Sequence, residues 1–215
     1  MTTDSASLYA ALIHELKNEL GLLSMALDAI PRHEARHDAA VDAAQLQCQG
    51  VIERLQQALR VYKSANQPIH PVLDAWSPQD VVNEIADRAR ALARGRLRVE
   101  STVAPQVPEI GFFDRDLVEM ALVNAVHNSL RYAQSKIRIE AGMLEGGLAF
   151  TVRDDSPGYP EAILNGEAGS GAPSAGTGLG LQFSRLIAQG HDNRGRRGEL
   201  RLSNDAGAVF CLLLP

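Results

Sequence analysis

The chain has 215 residues, is 45% hydrophobic and 22% charged, and carries a net charge of −5. This composition fits a globular protein of one large or two small domains, and its acidic balance removes any electrostatic case for nucleic acid or an anionic membrane as partner. No apolar run reaches the roughly 18 residues that cross a bilayer, and the start MTTDSASLYAAL has neither a basic stretch nor a cleavage site, so the expectation is a cytoplasmic protein without a membrane span.

Cys48 and Cys211 lie far apart and form no metal-like cluster, which suits small core residues in a reducing compartment. From Ser5 to Ile30 the only helix breaker is Gly21, and apolar residues recur at Tyr9, Ile13, Leu16, Leu20, Leu23, Leu27 and Ile30. Steps alternating between four and three make a coiled-coil seam. Pro31 interrupts it, and a second run follows at Val41, Ala44, Cys48, Val51, Leu55, Ala58 and Tyr62. The pattern predicts an antiparallel helical hairpin over 1–67. Its uncovered seams are best closed by a second copy, giving a dimeric four-helix bundle; packing against the chain's own second domain is the alternative.

His14 lies beside the seam, with Asn18 at i+4 and Gly21 at i+7 on the same flank and Glu15 next to it. Imidazole is neutral and nucleophilic near pH 7, and an adjacent carboxylate can hold its tautomer or take its proton. An amide one turn away can position a water or a phosphoryl oxygen. By spacing alone, a solvated helix with a surface histidine explains these residues better.

After Asn66 the composition changes. Gln67–Pro71, QPIHP, reads as a short extended joint. The second domain, 72–215, begins with a strand-like Val72–Trp76 and a helix capped by Ser77, with Pro78 at its first position, running to about Ala93. Arg96–Val103 alternates as a strand. Lys136–Met143 and Leu148–Val152 read as paired strands turning at Gly146-Gly147, a helix runs from Leu179 to about Gln189, and Glu199–Leu202 with Ala208–Leu214 read as a closing hairpin. Strands mixed with helices imply one sheet covered on one face.

Between these lies Asp116–Ala133, DLVEMALVNAVHNSLRYA, apolar enough for a buried helix. Asn124, Asn128 and Arg131 nevertheless share one face. An amide buried without partners costs roughly 1–3 kcal/mol, so the row calls for something polar opposite it. A metal–phosphate group fits, because amide oxygens ligate Mg²⁺ and guanidinium pairs with phosphate; waters in an ordinary core fit too. Two further stretches carry chemistry. Asp154 closes an apolar strand in VRDDSPGYP, where its carboxylate can accept from an exocyclic amine. GTGLGL, Gly176 to Leu181, brings Gly176, Thr177, Gly178, Leu179 and Gly180 to a helix start, where bare backbone amides can approach phosphate.

HELKNEL, from His14 to Leu20, resembles the phospho-accepting H-box of two-component sensor histidine kinases, with Glu19 where that pattern often has Pro. NAVHNSLRYA resembles the family's N-box: Asn128 matches its Mg²⁺ ligand, Arg131 replaces Lys, Ser129 stands where Ala is common, and Tyr132 matches an aromatic residue beside the nucleotide. VRDDSPGYP resembles the G1 box, with Asp154 as the reader of adenine N6, Gly158 as its second glycine and Ser156 in place of the first; were φ > 0 required there, Ser156 would cost about 1 kcal/mol or more. GTGLGL resembles the G2 box, and Asn165–Ala175 looks like a short ATP lid without an F-box. The four boxes keep the family's order.

The resemblance implies an α+β chain: a dimerising, phospho-accepting hairpin followed by an α/β sandwich of the histidine-kinase and gyrase ATPase type. It also implies ATP and Mg²⁺ as cofactors and a reaction that moves the γ-phosphoryl group to His14, with Glu15 as base. Asn18 would orient a water for dephosphorylation. The implied partners are a response-regulator receiver domain, a second copy of the chain and a separate sensor protein. A non-catalytic dimeric phosphorelay or scaffold with a degenerate nucleotide site is the alternative; a serine kinase or anti-sigma factor on the same ATPase fold would lack the hairpin.

Overall fold

A computed structural model describes residues 69–165 and 179–215, together with Met25, Val41, Ala44 and Val51. The chain divides into two compact units, Met1–Gln67 and Pro68–Pro215. In the first, all four described residues are helical; the hairpin seams, Cys48 and the H-box otherwise lie outside the described residues.

The second unit is built in chain order from β1 (Asp74–Trp76), α1 (Pro78–Ala93), β2 (Arg98–Val103), β3 (Gly111–Phe113), α2 (Arg115–Tyr132), β4 (Lys136–Leu144) and β5 (Gly147–Asp154). There follow α3 (Glu161–Leu164), α4 (Leu179–Gly190), β6 (Asp192–Asn193), β7 (Arg196–Arg197), β8 (Glu199–Asn204) and β9 (Ala208–Leu214). Five strands form the main sheet in the order β2-β4-β5-β9-β8, with β2 parallel to β4 and the other pairs antiparallel. β1 with β3, and β6 with β7, form two-stranded ribbons.

Strand alternation sets the two faces of the sheet. On β4, Ile137, Ile139 and Ala141 point into the core; their partners on β5 are Asp154, Val152 and Phe150. α1, α2 and α4 cover this side. The other face carries charge: Arg138 reaches Glu100 at 3.3 Å, and Arg153 pairs with Glu140 at 3.2 Å and Asp205 at 2.9 Å. The result is a two-layer α/β sandwich, apolar toward the helices and polar outward. Phe113, Phe150, Phe183 and Phe210 anchor the core, all at most 1% exposed, and Phe113 meets Phe150 edge to face at 5.5 Å.

Local chemistry explains the helix ends. Ser77 caps α1 by accepting from the Asp80 N–H at 3.2 Å, with Pro78 behind it. Asp114 caps α2, accepting from the Leu117 N–H at 3.0 Å. The β4–β5 turn corrects the sequence expectation. Its left-handed residues are Glu145 and Gly146, at φ 52° and 77°, and Gly147 already belongs to β5. Two Glu145 carboxylate bonds to Arg201, at 2.8 and 2.7 Å, hold the non-glycine residue in that conformation. The Glu145 carboxyl is correspondingly lowered, first by the Arg201 hydrogen bond and then by its charge.

Candidate functional site

A buried carboxylate, Asp154, lies on the sheet's helix-covered face. The register Ile137↔Asp154 turns its side chain toward α2 at the last residue of β5, where it is 9% exposed. Ser129 of α2, 3% exposed, donates its hydroxyl to Oδ2 at 2.6 Å. Oδ1 accepts from the Ser156 N–H at 2.9 Å and from the Ala208 N–H at 3.3 Å. β9 approaches so closely at this point that a Cβ on Gly207 would lie 2.7 Å from the Asp154 carbonyl carbon. Only glycine, here at φ 149°, fits.

The G1-like turn is ordered by its own side chains. Ser156 does not take positive φ, so the strain expected from replacing glycine is absent. Instead its N–H serves Asp154 and its hydroxyl accepts from the Gly158 N–H at 3.2 Å. Gly158 is the left-handed residue, at φ 93°, and a Cβ there would lie 2.6 Å from Asn204 Oδ1. Asn204 brackets the next peptide: it accepts from the Tyr159 N–H at 2.7 Å and donates to the Tyr159 carbonyl at 3.0 Å. The Tyr159 phenol is pushed well above its ordinary value, by burial first and by the charge of Asp154 second.

Of the amide row, Asn124 is half-buried against the start of α4. A Cβ on Gly180 would lie 2.7 Å from both Asn124 Cγ and Nδ2. The last glycine of the GTGLGL box therefore lets the Gly-box helix seat on the Asn-row helix. Asn128 is half-buried one turn on, and Arg131 is exposed with its guanidinium 5.4 Å from the ring centre of Tyr132, itself 43% exposed. The structure thus brings Asp154, Asn124 and Gly180 to α2 and its immediate neighbours, while Arg131 and Tyr132 stand at the open end of that helix. Leu179 begins α4. Gly176, Thr177, Gly178, most of the lid stretch, His14, Glu15 and Asn18 lie outside the described residues.

Sequence reasoning did not single out Ser129's hydroxyl, Tyr159, Asn204 or Gly207. Tyr159 and its Asn204 clamp had a faint signal: a large aromatic directly after a left-handed glycine, and an Asn opening the turn of the closing hairpin. Asp155, next to the site, was also missed. Burial opposes ionisation of its carboxyl, but donation by the Ser135 hydroxyl and by the Ser135, Lys136 and Gln134 amides outweighs this, holding it well below the usual carboxylate range.

An apolar cleft of about 550 Å³ is lined by Leu73, Ile110, Phe112, Met143, His191 and Leu214 among others. Leu148, which also lines it, is six residues along β5 from Asp154, roughly 20 Å at the rise of a strand. It is therefore separate from the Asp154 site.

Among the described residues, no three His, Cys, Asp or Glu side chains gather as a metal site. A divalent ion at this site would draw most of its ligands from a phosphate chain and water, with Asn128 as a neutral oxygen donor; this donor set suits Mg²⁺, which keeps several waters. No described helix is long and apolar enough to cross a membrane.

Comparison with known proteins agrees with this geometry. Residues 113–215 match the histidine kinase-, DNA gyrase B-, and HSP90-like ATPase family. The signal transduction histidine-protein kinase AfsQ2 of Streptomyces coelicolor is 32% identical over 107 residues, covering 46% of this chain and 19% of the relative. The sensor histidine kinase CpxA of Escherichia coli is 25% identical over 199 residues, 89% of this chain and 43% of its own. The chain thus spans less than half the length of these relatives. Full-length ShkA, solved in complex with AMPPNP, superposes with a TM-score of 0.70 at 19% identity, covering 97% of this chain and 45% of ShkA, a likeness of fold. Residues 113–215 are thus similar to the histidine kinase-, DNA gyrase B-, and HSP90-like ATPase family, in the form carried by two-component sensor histidine kinases.

Proposed function

We propose that the chain binds Mg-ATP at Asp154 and the α2–α4 contact and transfers the γ-phosphoryl group to His14. The observation that carries this reading is the buried Asp154 carboxylate, held by three donors at the end of β5 beside the Asn-row helix. Asp154 accepts from the adenine amine. Asn128 offers an oxygen to Mg²⁺, which neutralises charge on the triphosphate. Arg131 and the 176–180 backbone amides steady the phosphates, and Gly158 shapes the turn that follows Asp154 beside the base. In the transfer, a ring nitrogen of His14 attacks the γ-phosphorus, the bond to the β–γ bridging oxygen breaks, ADP leaves, and Glu15 takes the ring proton. Positioning and charge neutralisation supply most of the rate in such transfers.

The phosphoryl group then passes to an aspartate of a response-regulator receiver domain. The chain works as a homodimer and takes its stimulus from a separate sensor or an adjoining region, and Asn18 orients water for the reverse dephosphorylation. The test is incubation with γ-labelled ATP. Acid-labile label on the wild type that vanishes in His14→Ala supports the assignment; label that persists in the variant overturns it.

A strained Ser156 in the first glycine position would favour the scaffold reading. Ser156 is unstrained and spends both its groups on the turn, which favours a working pocket. Calorimetry separates the two readings, since a scaffold with a vestigial site takes up no Mg-ATP.

A further inference from the structure

We propose that Ser129 sets the base selectivity of the nucleotide site by fixing Asp154, an inference that rests on the nucleotide-binding reading above. A carboxylate offers about four lone-pair positions and no proton to donate. Three are already occupied by the chain. Oδ1 takes two backbone donors, from Ser156 at 2.9 Å and Ala208 at 3.3 Å, and Oδ2 takes the Ser129 hydroxyl at 2.6 Å. One position remains, on Oδ2.

The three donors come from three different elements: the turn after β5, the start of β9 and α2. Rotation of the carboxylate would break at least one of these bonds, so the open position has a fixed direction. The hydroxyl of Ser129 has one proton, and that proton is spent on Asp154. The pair therefore presents only acceptor character to a base edge. An exocyclic amine, as on adenine, satisfies it. A carbonyl at the same place, as on guanine or hypoxanthine, sets oxygen against oxygen in a desolvated site. A hydrogen with no donor, as in purine itself, leaves the acceptor unpaired. Sites built around a buried hydrogen-bonding group reject analogues that cannot pair with it far better than apolar pockets do.

With Ala at 129, the residue common there in the N-box pattern, Oδ2 would have two open positions and one fewer restraint. The carboxylate could then turn or take up water, and the amine would count for less. Ser129 is a positioning residue. It acts through Asp154 and needs no contact with the nucleotide.

The test measures Mg²⁺-complexed ATP, GTP and purine riboside triphosphate, which lacks the 6-amine, binding to the full chain by calorimetry. Wild type, Ser129→Ala, Ser129→Cys and Ser129→Thr are compared, with unfolding midpoints recorded alongside. The wild type should prefer ATP over purine riboside triphosphate, and Ser129→Ala should shrink that preference by about 5–10-fold, the scale of one ordinary net hydrogen bond. Ser129→Cys, nearly the same size with a weak donor, should also shrink it, and Ser129→Thr, which keeps the hydroxyl, should restore it. A merely structural role would move the midpoint and all three affinities together, leaving the ratio alone. An unchanged ratio in Ser129→Ala or Ser129→Cys, in a protein whose wild type binds ATP, overturns this inference only. A wild type that binds none of the three overturns the nucleotide reading beneath it.

Discussion

His191 gives a sharp stability prediction. It is 2% exposed, just past the end of α4, and both ring nitrogens are spent on backbone. Nδ1 pairs with the Ile187 carbonyl at 2.8 Å and is therefore the protonated nitrogen; Nε2 accepts from the Asp114 N–H at 3.1 Å. Asp114 is the N-cap of α2 and also receives the Val72 N–H at 2.9 Å. One neutral imidazole thus ties the end of the Gly-box helix to the start of the Asn-row helix. Replacing it with Phe keeps most of the volume and leaves the Asp114 N–H without its acceptor, a cost of about 1–3 kcal/mol. The Ile187 carbonyl keeps the main-chain N–H of His191 at 3.3 Å, so it adds little. His191→Ala adds a cavity and should cost roughly 2–5 kcal/mol, a large share of the stability of an ordinary domain.

The pH dependence follows with a definite sign. Burial lowers the His191 pKa, against weaker upward pulls from the Ile187 carbonyl and the Asp114 charge. The unfolded chain therefore binds the proton more readily than the folded one. The contribution is full above the unfolded value of about 6.5 and is lost as pH falls below it toward the folded value, by up to about 1.4 kcal/mol at pH 5.5. Urea unfolding followed by Trp76, the chain's one tryptophan, at pH 7.5 and 5.5 measures both effects. The wild type should lose stability between the two pH values, and His191→Phe should lose less by this amount. A variant as stable as wild type at pH 7.5, or with the same loss on acidification, refutes the reasoning.

Arg115 bonds to Glu119 at 2.6 Å and also to Glu84, while its guanidinium lies 5.0 Å from the Trp76 ring centre; those two acids raise its pKa further. Arg115→Lys should cost about 0.5–1.5 kcal/mol in urea unfolding and shift Trp76 emission, because an ammonium cannot serve both acids and the ring together. Asp155→Ala should cost about 1–3 kcal/mol by removing the acceptor for three backbone amides at the α2–β4 turn, read as a lower urea midpoint at pH 7. With its pKa lowered on folding, that contribution is present above about pH 4 and fades as pH falls further, so wild type and variant should converge in acid. Gly180→Ala places a methyl against Asn124 and should cost about 1–3 kcal/mol while weakening Mg-ATP binding in calorimetry.

The sequence spoke most clearly where one residue type has one cheap role. Ser77 with Pro78 is a credible helix start, and the helix starts there. The apolar run 116–133 could only be a buried helix, and it is packed by the sheet and by both neighbouring helices. β3, α3, β6 and β7 span two to four residues each, too short for any periodicity to register. Glu145 defeated a rule about glycine, because its conformation is stabilised from 56 residues away by Arg201. In the site, Asp154 was legible as the polar end of an apolar strand. Ser156 was left open by the sequence because a motif glycine can mark either positive φ or simple lack of a side chain, and only backbone coordinates tell these apart. Ser129 registered in the sequence only as standing where Ala is common, when what matters is where its proton goes.

These particulars converge on α2. Its first turn is fixed by Asp114, which is joined through His191 to the end of α4 and directly to Val72. Its last turn is fixed from the end of β5 and the residue after it, by Asp154 through Ser129 and by Asp155 through the residues that follow the helix. An 18-residue helix is about 27 Å long, and Asn124 and Asn128 lie between the two anchors. Asn124 also bears on Gly180, so the Asn row and the Gly-box helix share one contact near the middle of this span. Phosphoryl transfer asks a protein chiefly for position, and misplacement by about 1 Å can cost 10²-fold. Loosening either anchor should therefore weaken nucleotide binding, even though His191 and Asp155 touch no part of the site.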